Sequence, residues 1–109
     1  IAYINPHPAA LGAVVIVSKT SRARNLLEIA PPDLSAIMAV AAKIGRAQLL
    51  ALPIDGFSVQ QNNGSAQSVF QYHVHVIPRI KGVQISTGEH PDADPAELVR
   101  VAALIRAKL

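Results

Sequence analysis

Cysteine and tryptophan are absent from this 109-residue chain, and tyrosine and phenylalanine number two each. Without cysteine there is no disulfide and no thiolate zinc site. A reducing compartment fits that composition, so a cytoplasmic location is expected. With so few aromatics and no long basic run, the stacking groove of a nucleic-acid binder is not expected. No uninterrupted run of 18 apolar residues occurs, which argues against a membrane span. Nor is there an internal repeat, a low-complexity stretch or a linker, so residues 1–109 read as one domain.

What is present is an apolar chain with a modest positive charge. Half of its residues are hydrophobic, and ten Lys and Arg against seven Asp and Glu give a net charge of +3. A domain of this size buries only about two-thirds of its unfolded surface. The spare apolar surface points to a homodimer. Arg22, Arg24, Lys43 and Arg46 read as surface charges, and the positive balance favours the approach of a phosphorylated small molecule.

The patterning predicts antiparallel strands and two helices, an α+β fold. Ile1 to Asn5 reads as a strand, and the β-branched run from Val14 to Ser18 as a central one. Pro31-Pro32 opens a helix with Asp33 in its first turn. Leu34, Ile37, Met38, Ala41 and Ile44 form its buried stripe, and Pro53 stops it after Leu52. Its Ala-rich flank (Ala36, Ala39, Val40, Ala47) is too apolar for a fully solvated face, which suits a dimer contact. Strands are expected over Phe57 to Gln61 and Val69 to Ile80, the second losing its pairing near Pro78. Gly82 to Asp92 reads as a loop with His90 exposed. Asp94-Pro95 caps a last helix striped by Leu98, Val101, Ala102 and Ile105.

The most informative stretch is SVFQYHVHVIPR, Ser68 to Arg79. Its period-two alternation places Gln71, His73 and His75 on one face, opposite Phe70, Tyr72, Val74 and Val76. Same-face neighbours lie about 6.5 to 7 Å apart, a spacing suited to two imidazoles acting on adjacent atoms of one substrate. Two other readings stay open. The histidines could be polar positions on a solvated edge strand, or a His-x-His metal pair that still needs a third ligand.

Ahead of them runs Gln60 to Gln67, QQNNGSAQ. Amides and a glycine there can present N–H groups to an anion. Asn-Gly is equally the signature of an ordinary hairpin turn.

NNGSAQSVFQYHVHVIPR resembles the signature of the histidine-triad (HIT) superfamily: N-x-G, a short loop, G-Q-[ST]-V, then H-φ-H-φ-H-φ-φ, often followed by P-R. Upstream, IAYINPHPAALGAVVIVSK is similar to that family's first strands, with Ala2, Tyr3, Asn5, Pro8, Gly12 and Lys19 at matching positions. The resemblance implies a small antiparallel sheet with helices on one side and a homodimer. It further implies hydrolysis or transfer of nucleoside monophosphates through a nucleotidyl-histidine, with no cofactor and no metal.

Residue by residue, His73 matches the nucleophile, oriented by the backbone carbonyl of residue 71, and His75 the last triad histidine, a phosphate contact. Asn62, Gln67 and Ser68 match phosphate-contacting positions, and Asn5 a ribose contact. Lys19 and Arg79 read as structural or surface residues. The implied partner is a small purine nucleotide; phosphoramidates and dinucleoside polyphosphates are both within range.

The departures are Gln71 for the first histidine, Ala13 for a histidine after Gly12, Ala66 for a glycine, and a shorter loop. The chain opens at Ile1 inside a strand, so the family's upstream segment is expected to be missing. The competing class is a nucleotide-binding module with little turnover.

Overall fold

Val14, Val15 and Ile16 cannot pack around a helix as readily as they flank a pleated strand, and they lie buried in the middle of a four-stranded antiparallel sheet. The computed structural model describes residues 1–6, 10–82 and 93–109. Chain order is β1 (Ala2–Ile4), β2 (Val14–Val17), α1 (Pro31–Ala51), β3 (Gly56–Gln60), β4 (His73–Arg79) and α2 (Pro95–Arg106). The strand order is β1-β2-β4-β3, so β2 and β4 are central. His7, Pro8, and the stretch 83–92 with His90 lie outside the described residues.

The α+β fold expected from the sequence is therefore present, with both helices contributing to one core. Val14 and Ile16 from β2, Val74 and Val76 from β4, and Tyr72 meet Ile37, Ala41, Ile44 and Ala47 of α1 and Val101 and Ile105 of α2. Each buried Val or Ile among them contributes about 1.5 to 3 kcal/mol by leaving water. These strand residues are the even-numbered ones. The odd-numbered set, with His73 and His75, lies on the face turned from the helices.

Helix α1 starts at Pro31, where the fixed φ suits the first turn, and Asp33 complements the exposed N–H groups there. It ends at Ala51, just ahead of Pro53. By length and composition α1 could cross a membrane although Asp33, Lys43 and Arg46 interrupt its apolar run; here its stripe packs on the sheet and on α2. Two details correct the stripe read from sequence. Met38 is 42% exposed, because the buried positions run Ile37, Ala41, Ile44 and Gln48. Ala47, read as part of the outer flank, lies wholly inside. In α2 the Asp94 carboxylate accepts from the Ala96 N–H at 3.0 Å, as its capping position predicts.

Strand β4 is shorter than its alternation suggested. It begins at His73, and Ser68 to Tyr72 form an irregular approach in which Phe70 is 66% exposed. The reason is competition for hydrogen bonds: the Tyr72 N–H donates to the Ala23 carbonyl at 2.9 Å, not to a ladder partner. At the other end β4 loses β2 after Val76 but keeps β3, with Pro78 opposite Phe57. Pro78 thus stands where one flank of the strand is unpaired.

Candidate active site

In the central strand β4, His73 lies opposite Val17 of β2, and His75 between Val15 of β2 and Gln60 of β3. His75 is laddered on both sides and His73 on the β2 side, which holds the backbone beneath them more rigidly than a loop could. The rings meet edge to face, centroids 4.9 Å apart at 78°. His73 is buried and His75 partly so.

The Nδ1 atom of His73 is 2.6 Å from the backbone oxygen of Gln71. A carbonyl oxygen can only accept, so Nδ1 carries a proton and the lone pair of the neutral tautomer is on Nε2. Burial, and to a lesser degree the repulsion that a protonated His73 would exert, push the His75 pKa below its ordinary value. Two imidazoles held side by side on a strand can supply a nucleophilic nitrogen and a neighbouring hydrogen-bonding group.

Gln71 itself precedes the strand. Its side-chain amide is 3.5 Å from the Ser18 carbonyl oxygen, a contact at the limit of a hydrogen bond, and its backbone carbonyl serves His73.

The amide-rich segment turns through a short 3₁₀ turn, Gly64–Ala66, with Gly64 at φ +64°. It is not a two-residue hairpin, since twelve residues separate Gln60 from His73. Its amides largely bind one another. Gln67 accepts from the Gly64 N–H at 3.0 Å, and donates to the carbonyls of Arg24 at 2.7 Å and Val69 at 3.3 Å. Asn63 accepts from the Leu26 N–H at 2.8 Å and trades two bonds with Gln61. Asn62 accepts from the Gln60 side chain at 3.3 Å, while Ser68 is exposed.

Asn5 follows β1, its N–H donating to the Ala13 carbonyl at 2.8 Å. Its parity with Tyr3, the partner of Val15, puts it on the histidine face two strands from β4. The fold thus gathers Gln71, His73 and His75 at one point, lays Asn62, Gln67 and Ser68 in the adjoining loop, and sets Asn5 across the sheet.

Sequence reasoning missed Gln48. It is wholly buried in α1, and its amide donates to the carbonyls of Gly12 at 2.9 Å and Val76 at 3.0 Å. It ties the entry of β2 to β4 at the point where their ladder ends. The available signal was a glutamine one turn after Ile44 on the buried stripe. Arg79, at the far end of the histidine face, donates to Ser58 at 3.0 Å. Among the described residues, no three His, Cys, Asp or Glu side chains come together as a metal site would need.

The model of the HIT domain matches residues 1–82. An uncharacterized 13.1-kDa HIT-like protein of Mesomycoplasma hyorhinis is 32% identical over 83 residues, 74% of each chain. Among solved structures, a Hit-like protein from Bartonella henselae described as involved in cell-cycle regulation superposes with TM-score 0.91 at 32% identity, covering 100% of this chain and 79% of that one. A zinc-bound histidine-triad family protein from Mycobacterium smegmatis gives TM-score 0.80 at 29% identity, over 97% and 77% of the two chains.

Proposed function

The chain belongs to the HIT family, and from that premise we propose that it binds a purine nucleotide and transfers its nucleoside monophosphate group through His73, to water or to another acceptor. The observation that carries this reading is the 2.6 Å contact between His73 Nδ1 and the Gln71 carbonyl. It leaves Nε2 as the nucleophile and needs only the backbone of residue 71, so a glutamine serves there as well as a histidine.

In the proposed reaction the Nε2 lone pair forms a bond to the α-phosphorus while the bond to the leaving group breaks. The leaving group departs with the electron pair and takes a proton. Water then attacks the phosphorus, returning His73 and releasing the nucleoside monophosphate. Splitting one displacement in two lowers each barrier.

His75, held neutral by burial, hydrogen-bonds a phosphoryl oxygen or the leaving group. Asn62 and Ser68 donate to the phosphate, an effect worth about 2.7 to 4 kcal/mol per well-placed donor. Gln67 reaches the bridging atoms by giving up its longest bond, that to the Val69 carbonyl. Asn5 holds the ribose.

The alternative, a binding module with little turnover, draws on Ala13. Buried at the head of β2, it offers no imidazole where the family often has one. Brief exposure to a labile AMP donor followed by mass spectrometry separates the two. An adenylyl adduct on His73, absent from His73→Ala, supports transfer; AMP binding with neither adduct nor hydrolysis supports the module.

As part of the same reading the protein is a homodimer, joined through the outer flank of α1, where Ala36, Ala39 and Val40 are exposed. A monomer mass in analytical ultracentrifugation at tens of micromolar would sink that assignment.

A further inference from the structure

Beyond the strand that carries the histidines, one loop is fastened to the site at both ends. The segment from Ser18 to Ala23 leaves β2 directly after Val17, the ladder partner of His73. At its start the Ser18 carbonyl lies 3.5 Å from the Gln71 amide nitrogen, and at its end the Ala23 carbonyl accepts from the Tyr72 N–H at 2.9 Å. The loop is stiffened from within: Ser18 Oγ accepts from the N–H groups of Thr20 and Ser21 at 3.2 and 3.0 Å, and Ser21 Oγ from that of Ala23 at 3.2 Å. The next residue, Arg24, is held by Gln67 through its carbonyl. This loop is therefore a fixed wall beside Gln71.

The wall carries three cations, and they differ. Arg24 is neutralised by Glu28 at 3.1 Å. Lys19 and Arg22 are exposed and form no ion pair with another described residue. No acidic side chain occurs between Ser18 and Asn25. Two unneutralised cations on a rigid segment next to the first position of the triad make a local positive field, where an anionic group continuing from the α-phosphate finds its counter-charge.

We propose that Lys19 and Arg22 are specificity-determining residues that select substrates whose leaving group is itself anionic, such as a further phosphate chain, over those with a neutral leaving group. The assignment rests on the reading of His73 as the site of the α-phosphate. Neither residue touches the reacting phosphorus; each acts on what lies beyond it.

The test compares AMP with α,β-methylene-ATP, which keeps the extra phosphates but resists cleavage at the α-phosphorus, by calorimetry on the full chain. For the wild type the analogue should bind roughly five- to tenfold tighter than AMP, the range that two exposed ion pairs provide. That gain should shrink as salt is raised from about 20 to about 200 mM. In Lys19→Ala/Arg22→Ala the gain should vanish while AMP affinity stays within about twofold. An Arg106→Ala/Lys108→Ala control at the exposed end of α2 removes the same net charge and should keep the gain. A gain retained in the Lys19→Ala/Arg22→Ala protein, or lost equally in the control, overturns the assignment, as does a wild type that does not distinguish the two ligands. If AMP itself fails to bind at millimolar concentration, the nucleotide reading falls with it; AMP binding without the extra gain overturns this assignment alone.

Discussion

His73 donates from Nδ1 to the backbone oxygen of Gln71, two residues earlier in the chain, across 2.6 Å. The bond closes a small loop that joins the irregular approach Ser68 to Tyr72 to the first residue of β4. In the proposed mechanism the carbonyl of residue 71 is used and its side chain is not. His73→Ala should abolish hydrolysis of a phosphoramidate or dinucleotide while AMP still binds. Gln71→His and Gln71→Ala should each stay within about tenfold of the parent rate, roughly 1.4 kcal/mol of barrier. Steady-state kinetics on the three variants decide it; a hundredfold gain on restoring histidine would mark the parent chain as a degraded enzyme.

The depressed pKa of His75 gives folding a pH dependence with a definite sign. In the unfolded chain the imidazole takes a proton near its ordinary value of 6.5, and in the folded protein only at lower pH. Between those two values the unfolded state binds more protons, so stability falls as pH drops through that window. Above it the contribution is fully present, and below the folded value nothing further is lost. Melting curves of wild type and His75→Gln across pH 4 to 8 should converge or cross on the acid side of about 6.5. A difference independent of pH would contradict this.

Gly45 sits in the middle of α1 with the ring of Phe57 pressed on it. A Cβ built there would lie 2.4 to 2.7 Å from three ring atoms. Helix propensity alone favours alanine by about 1 kcal/mol. The clash is expected to outweigh it: the Phe57 ring, 37% exposed and anchored through the β3 backbone, must swing aside, and forced repacking costs about 1 to 3 kcal/mol. Gly45→Ala should lower the melting temperature, and adding Phe57→Leu should restore part of it. A more stable single variant would show that the ring is free to move aside.

Gln48→Leu tests the buried amide. Leucine fits the apolar stripe and removes the buried, unpartnered Oε1, but takes the side-chain donor from the carbonyls of Gly12 and Val76, at about 1 to 3 kcal/mol for a buried group left unsatisfied. Urea denaturation should show a loss of this order with an unchanged slope. A neutral or stabilising result would mean that losing the unpartnered Oε1 outweighs the two bonds.

Local pattern carried the reading far where packing and periodicity agree. The β-branched run of β2, the proline start of α1 and the Asp94 cap are each decided within a few residues, so they were visible in the chain. The start of β4 was not. Ser68 to Tyr72 alternates as a strand should, yet the carbonyl of Ala23, far away in sequence, claims the Tyr72 N–H. Gln48 was hidden for the opposite reason: a polar residue on an apolar stripe declares its role only when two carbonyls from other elements converge on it. The histidine pair was legible as co-facing residues, but the part played by the Gln71 backbone came from the family resemblance. A carbonyl leaves no mark in a sequence.

The seam between β2 and β4 also governs when the site can exist. Strand β1 pairs with β2 and β3 with β4, so two neighbouring-strand pairs meet along Val14–Val17 and His73–Val76. The residues facing each other there are about 60 apart in sequence, which makes this closure costly in chain entropy and slow. A nascent or refolding chain can form α1 and the β3–β4 pair while His73 and His75 still lack one wall. Competence to bind the phosphate therefore emerges late, as a property of the closed sheet, and its recovery should trail helix formation in any refolding time course.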